Sequence, residues 1–277
     1  MKNLKKVLAV MLAVVIACGL FAACSNSAKD DAKSESKTDA PAASESAYDN
    51  VVKKGKLVVG ITDYEPMDYQ DKETKEWVGF DADFAKAAAK KMGVEVEFVV
   101  INWDNKFMEL NSGSIDCIWN GMTISDSVTK NCDISKPYAG NSQVVVMKKD
   151  KLDSYKDTAS LKDITIAVEK GSAGEAEAKK LTKNVVALAN QADAIKEVKS
   201  GTSDACIIDS TMANAMTADG KDFDDLGYTI SLTTEEYGIG FKKGSDMPEK
   251  INAIIDELKA DGTLKALSDK YYVDLAK

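Results

Sequence analysis

The residues able to do chemistry in this chain are mostly acids. Asp209 closes the apolar run Ala205-Cys206-Ile207-Ile208-Asp209, and Glu169 stands just before the loop Lys170-Gly171-Ser172. Either acid is chemically able to move a proton. Asp209 is equally suited to capping a helix that starts at Ser210-Thr211-Met212-Ala213. The 36 basic residues are all lysines, because the chain contains no arginine and no histidine. That removes the Ser-His-Asp and Cys-His nucleophile pairs, histidine-bearing metal sites and the arginine finger of phosphoryl transfer. A formal charge of -9, with no basic run beyond the N-terminus, argues against nucleic acid as a partner.

The elements that must position these acids alternate. From residue 50 onward, short β-rich runs are interleaved with amphipathic helices, the pattern of an α/β protein. Lys56–Ile61, Val94–Val100 and Ile115–Asn120 read as strands, and Gln143–Met147 as a fourth. The segment Asp81–Met92 opens with acids, is rich in alanine, closes with lysines and ends at Gly93, which predicts a helix. A second, similar unit follows: a strand over Ile164–Val168, helices over Glu175–Leu181 and Gln191–Lys199, and a strand over Ala205–Asp209. A strand over Tyr237–Phe241 leads to two closing helices, Pro248–Ala260 and Thr263–Tyr271. No internal sequence repeat is visible. Cys117 and Cys206 lie in apolar runs, and with Cys132 they make an odd set, better read as buried thiols than as a disulfide framework or a metal site.

The N-terminus reads as an address. Lys2, Lys5 and Lys6 precede an apolar run from Val7 to Ala23, the charged and hydrophobic regions of an export signal. Without residues 1–23 the balance is 33 lysines against 45 acids, or -12. Residues 25–50 are nearly all Ser, Ala, Asp, Lys and Glu, too polar to offset the entropy of ordering, and read as a flexible stalk.

Five stretches carry a resemblance to known families. Leu20-Phe21-Ala22-Ala23-Cys24 resembles the lipobox of bacterial lipoproteins, with Phe21 where leucine is usual. That implies a lipidated (palmitate-bearing) Cys24, a signal peptide over 1–23 and a linker over 24–49. The other four are Leu57–Gly60 leading to Tyr64-Glu65-Pro66-Met67, Gly79-Phe80-Asp81-Ala82-Asp83, Ile115–Ser125, and Tyr237–Gly244 with Asp261-Gly262-Thr263. In this order they are similar to the family 3 amino-acid solute-binding proteins of ABC importers. The resemblance implies an α/β, two-lobed type II periplasmic-binding-protein fold, with two hinge strands and the ligand in the interlobe cleft. It places lobe one over 50–143 and 238–277, lobe two over 144–237, and the hinge near Gln143–Val146 and Thr234–Tyr237. It also implies a monomer, without cofactor or metal, that closes on an amino-acid-like solute outside the cytoplasm and is read by a membrane permease.

Residue by residue, the resemblance makes Tyr64 and Trp103 aromatic walls against the ligand. Asn120, Gly121, Met122 and Thr123 offer backbone and hydroxyl groups to its carboxylate and ammonium. Ser172 and Ala173 offer amides at a helix start, and Asp209 pairs with the α-ammonium. Two departures stand out. Val128 occupies the place of an arginine that would grip the ligand carboxylate, and Lys130, two residues further round, faces elsewhere on a helix. Glu169 stands where some relatives have a lysine, and with Asp63, Glu65 and Asp68 near Tyr64 it suggests an acidic cleft for a ligand of extra positive charge. The same fold is implied for cyclohexadienyl dehydratases, so an enzyme is one rival reading; a ligand sensor for a membrane receptor is another.

Overall fold

The computed structural model describes residues 46–277. The expected signal peptide, Cys24 and the stalk up to residue 45 lie outside them. Among the described residues no helix is long and apolar enough to cross a membrane, and Cys117, Cys132 and Cys206 are buried and unpaired.

Two five-stranded sheets share one design. In the first, Lys56–Ile61 lies between Glu95–Val100 and Cys117–Ile118, both parallel to it. Gly240–Phe241 and Asp133–Ile134 then add on antiparallel. In the second, Ile166–Glu169 lies between Val185–Leu188 and Ala205–Asp209, again parallel, and Gln143–Lys148 and Leu226–Ser231 complete it antiparallel. The duplication invisible in the sequence is therefore present in the topology. Side-chain identity can drift freely wherever burial and period are kept.

A separate antiparallel pair, Ala139–Asn141 with Glu235–Tyr237, carries the chain between the sheets in both directions. Gln143–Val146, expected near the first crossing, instead sits in a central strand of the second sheet. The crossing falls earlier because Val144, Val145, Val146 and Met147, all almost fully buried, form a continuous apolar run that packs between two neighbouring strands of the second sheet. The strand expected over Tyr237–Phe241 is likewise broken: Tyr237 ends the crossing pair, and Gly240–Phe241 joins the first sheet.

Residues 47–50, expected to belong to the stalk, are helical instead. A helix runs over Ala47–Lys54, with Ser46 as its cap accepting from Asp49 N at 3.0 Å. Asp246 fixes this start, accepting from Ser46 Oγ at 2.5 Å and Tyr48 N at 3.1 Å. A composition window averages over such a cap and over the one buried contact, Val51, that the helix makes.

Gly79 opens the helix Phe80–Met92 at φ +127°, ψ 176°, a region open essentially to glycine alone. A Cβ there would lie 2.2 Å from Met67 O, and the turn around it is tied by Phe80 N to Pro66 O at 2.8 Å and Asp81 N to Met67 O at 2.9 Å. Gly79→Ala is expected to cost about 3 kcal/mol and lower the melting temperature by roughly 6–12 °C in a calorimetric scan; an unchanged melting temperature would contradict this account of the turn.

Candidate functional site

A cavity of about 570 Å³ lies where the parallel strands of both sheets end, the position at which α/β sheets present backbone and side chains to ligands. From the first sheet it is lined by Trp103, Asn120, Gly121, Met122 and Thr123. From the second come Glu169, Ser172, Ala173 and Asp209. Tyr64 is the exception among the expected residues: it is absent from the lining and only 2% exposed. The turn that bonds Tyr64 N to Asp68 O and Met67 N to Tyr64 O, each at 2.7 Å, folds its ring inward. Its hydroxyl meets that of Tyr237 at 2.6 Å. Tyr64 thus supports the wall from behind: a Cβ on Gly121, held at φ +54°, would meet its ring at 2.6 Å.

The motifs quoted above meet beneath that wall. Asp81 accepts from Gly121 N at 2.6 Å and from the Tyr138 hydroxyl at 2.7 Å. Asn120 spends its side chain internally, accepting from Thr62 N and Thr62 Oγ1 and donating to Thr62 O and Asp68. Only its backbone is left to face the cavity. Asp68 and Asp81 are fully buried, and burial pushes both carboxyls up, Asp81 to about 7.

Asp209 precedes the helix Ser210–Thr217 yet makes no side-chain cap. Its carboxylate accepts instead from three side-chain amides: Asn141, Gln143 at 2.6 Å, and Gln191. Gln191 is held in that orientation because its Oε1 accepts from Asp209 N at 2.8 Å. Burial raises the Asp209 carboxyl to about 6, against the pull of these amides. Glu235 lies alongside, accepting from Gln143 Nε2 and from Thr123 Oγ1, each at 2.9 Å. Glu169 is 3% exposed, and its Oε1 has no hydrogen-bond partner among the described residues. Burial, then the charge of Asp209, pushes it up to about 8; Lys106 and the Thr62 hydroxyl act in the other direction. A buried carboxylate with spare capacity favours a cation that can supply the missing bond.

The two sides of the cavity touch at its edge. Lys106 Nζ donates to Gly171 O at 2.9 Å, and Lys170 pairs with Asp104 at 2.9 Å. A Cβ on Gly171 would come within 2.9 Å of Asp104 Cα.

Residues 57–274 match the model of the bacterial extracellular solute-binding proteins, family 3. The chain belongs to that family. It is 34% identical over 229 residues to the arginine-binding extracellular protein ArtP of Bacillus subtilis, covering 79% of this chain and 87% of that one. It is 31% identical over 235 residues to the L-cystine-binding protein TcyJ of Escherichia coli K12, covering 83% and 87%. Among solved structures, a mutant of ArgBP from T. maritima superposes with a TM-score of 0.76 at 35% identity, covering 82% of this chain and 99% of that one. An ancestral amino-acid-binding protein described as a precursor of cyclohexadienyl dehydratase gives 0.75 at 36%, with the same coverage. The two-lobed fold of the family accounts for the paired sheets and the crossing strands.

Within this family member, sequence reasoning missed Lys106, Gln143, Gln191 and Glu235, all of which line the cavity. Lys106 could not be told from a solvated helix lysine, and the two glutamines reach Asp209 from residues 66 and 18 positions away in sequence. Val128 is buried and lines the cavity, while Lys130 is exposed and does not. Asp63 and Glu65 are likewise absent from the lining, and Asp68 lies in the layer beneath.

The Glu169 carboxyl has a raised value in the folded chain, so its stabilising contribution is full below pH 4.5 and is lost as pH rises to about 8. Asp209 acts with the same sign but is exhausted above about 6. Asp81, raised to about 7, and Asp68 add slopes of the same sign, so the melting temperature of the ligand-free protein is expected to fall between about pH 6.5 and 8, and Glu169→Gln to make that slope shallower. Equal slopes in the two proteins would contradict the assignment.

Proposed function

We propose that this protein captures a cationic amino acid outside the cytoplasm and delivers it to an ABC permease. The observation that carries the cationic preference is the carboxylate group around one cavity: Glu169 with a free buried oxygen, Asp209 in its amide cradle and Glu235 beside it. An α-ammonium suits Asp209, and a side-chain cation suits Glu169. The relatives named for arginine support the reading, and the one named for cystine shows that family membership alone does not select the solute. Trp103, Gly121, Met122, Thr123, Ser172 and Ala173 complete the proposed contact surface. The two closing bodies are proposed to divide at the crossing pair Ala139–Asn141 and Glu235–Tyr237, so the expected boundary after 143 moves ahead of Gln143, which belongs to the second sheet. A ligand that touches both lobes favours their closure, and the permease would read the closed form. Cys24 is the proposed lipid anchor.

Binding rather than catalysis suits Asp209, whose hydrogen bonds fix it as an acceptor. Loss of arogenate or prephenate on incubation with the protein would overturn that part.

Calorimetric titration against arginine, lysine, ornithine, glutamine, cystine and glutamate tests the charge preference. A basic amino acid is expected to bind most tightly, and Glu169→Gln to weaken it about tenfold or more. Tight glutamate binding with no heat from basic ligands would sink the reading. Because a bound cation favours ionised Glu169, affinity should rise with pH up to about 8. Protons should also be released near neutrality, seen as heats that vary with the ionisation enthalpy of the buffer.

A further inference from the structure

A small zwitterion brings a negative group as well as a positive one, and the cavity offers them unequal company. Its ionisable lining is acidic except for Lys106, the one basic residue lining it among the described residues. Lys106 opens the helix Lys106–Ser112 and is 5% exposed, an unusual degree of burial for a lysine. Its ammonium lies over the rings of Trp103 and Phe107, at 4.8 and 5.0 Å from their centroids. It donates to Trp103 O at 3.1 Å and Gly171 O at 2.9 Å. Lysine carries three N–H donors, so one remains without an acceptor among the described residues. No carboxylate among them lies within 4.0 Å of Nζ, although Glu169, Asp104 and Glu175 all influence it. A buried ammonium with a spare donor and no counter-ion in contact is incomplete.

The bond to Gly171 O also places it beside Ser172 and Ala173, where the helix Ala173–Leu181 starts. Ser172 N is already taken, donating to Glu169 O at 3.3 Å. One neutral amide there is therefore spent, and Lys106 supplies the one positive charge on the lining among the described residues.

We infer that Lys106 Nζ holds the carboxylate of the bound amino acid, making this buried lysine the anion-binding element of a cleft whose other charges select cations. The inference rests on the amino-acid reading above. Lys106 then explains how an acidic cavity accepts a zwitterion instead of a bare amine: one charged N–H···O bond joins the ligand's carboxylate to the wall.

Agmatine, which has the guanidinium and chain of arginine but no carboxylate, is the probe. Titrations use the full chain in detergent. The wild-type protein is expected to bind L-arginine at least tenfold more tightly than agmatine. Lys106→Met, which keeps the length that packs on Trp103 and Phe107, is expected to erase that preference by weakening arginine at least tenfold while leaving agmatine unchanged or tighter. Lys106→Arg should keep most of it. Equal losses for arginine and agmatine in Lys106→Met, with an unchanged melting temperature, would make Lys106 a closing contact and overturn the inference. Equal affinities for the two ligands in the wild type would overturn it without any variant, while leaving the cationic preference standing. Binding of neither would overturn the inference, and would sink the cationic reading as well if lysine and ornithine also fail to bind.

Discussion

The constraint on which the site depends is the cost of keeping negative charge out of water. Glu169 and Asp209 are almost entirely removed from solvent, and a carboxylate so placed either takes up a proton or finds a partner. Asp209 finds part of its partnership in three amides. Glu169 is left with an empty oxygen. A cation brought against that oxygen would relieve the cost, which is the physical basis of the proposed preference.

The fold makes this possible by bringing strand ends together. Each sheet presents the carboxyl ends of its parallel strands to the same space, so residues over a hundred positions apart in sequence share one cavity. The crossing strands do more than connect. Asn141 from one bonds Asp209 of the second sheet, and Glu235 from the other accepts from Thr123 of the first. Gln143 Nε2 donates to both acids. One hydrogen-bonded group thus ties Asp209 to both crossing strands and to Thr123 beside the first sheet.

A similar solution appears one layer down. Asp81 anchors the Gly121 amide, and Asp68 anchors Asn120. Both sit without lysine in contact, and their raised carboxyl values keep charge low there. Lysine is the chain's only basic residue type, and where it pairs it does so in exposed pairs such as Lys56 with Glu97 and Lys265 with Asp269. Such pairs contribute little to stability. Lys106 is the departure, buried where a charge has consequences.

Period and punctuation in the sequence determined the α/β class, most of the helices and the strands Lys56–Ile61 and Ala205–Asp209, because buried strands and capped helices impose local patterns. The residues Asn120 to Thr123, Glu169, Ser172 and Ala173 were legible through the resemblance of their motifs to those of family 3, which strand and helix patterns alone would not have supplied. Short strands such as Val185–Leu188, with exposed Ala187, and the hairpin at Trp77–Val78 left no such pattern. What only the tertiary structure decided is direction and company. Tyr64 turned inward to support Gly121, Asp209 turned from its helix toward Gln143 and Gln191, and Lys106 became a cavity residue. Each choice depends on contacts between segments distant in sequence, and the free energy of burying a side chain is set by those neighbours, not by the residues on either side of it.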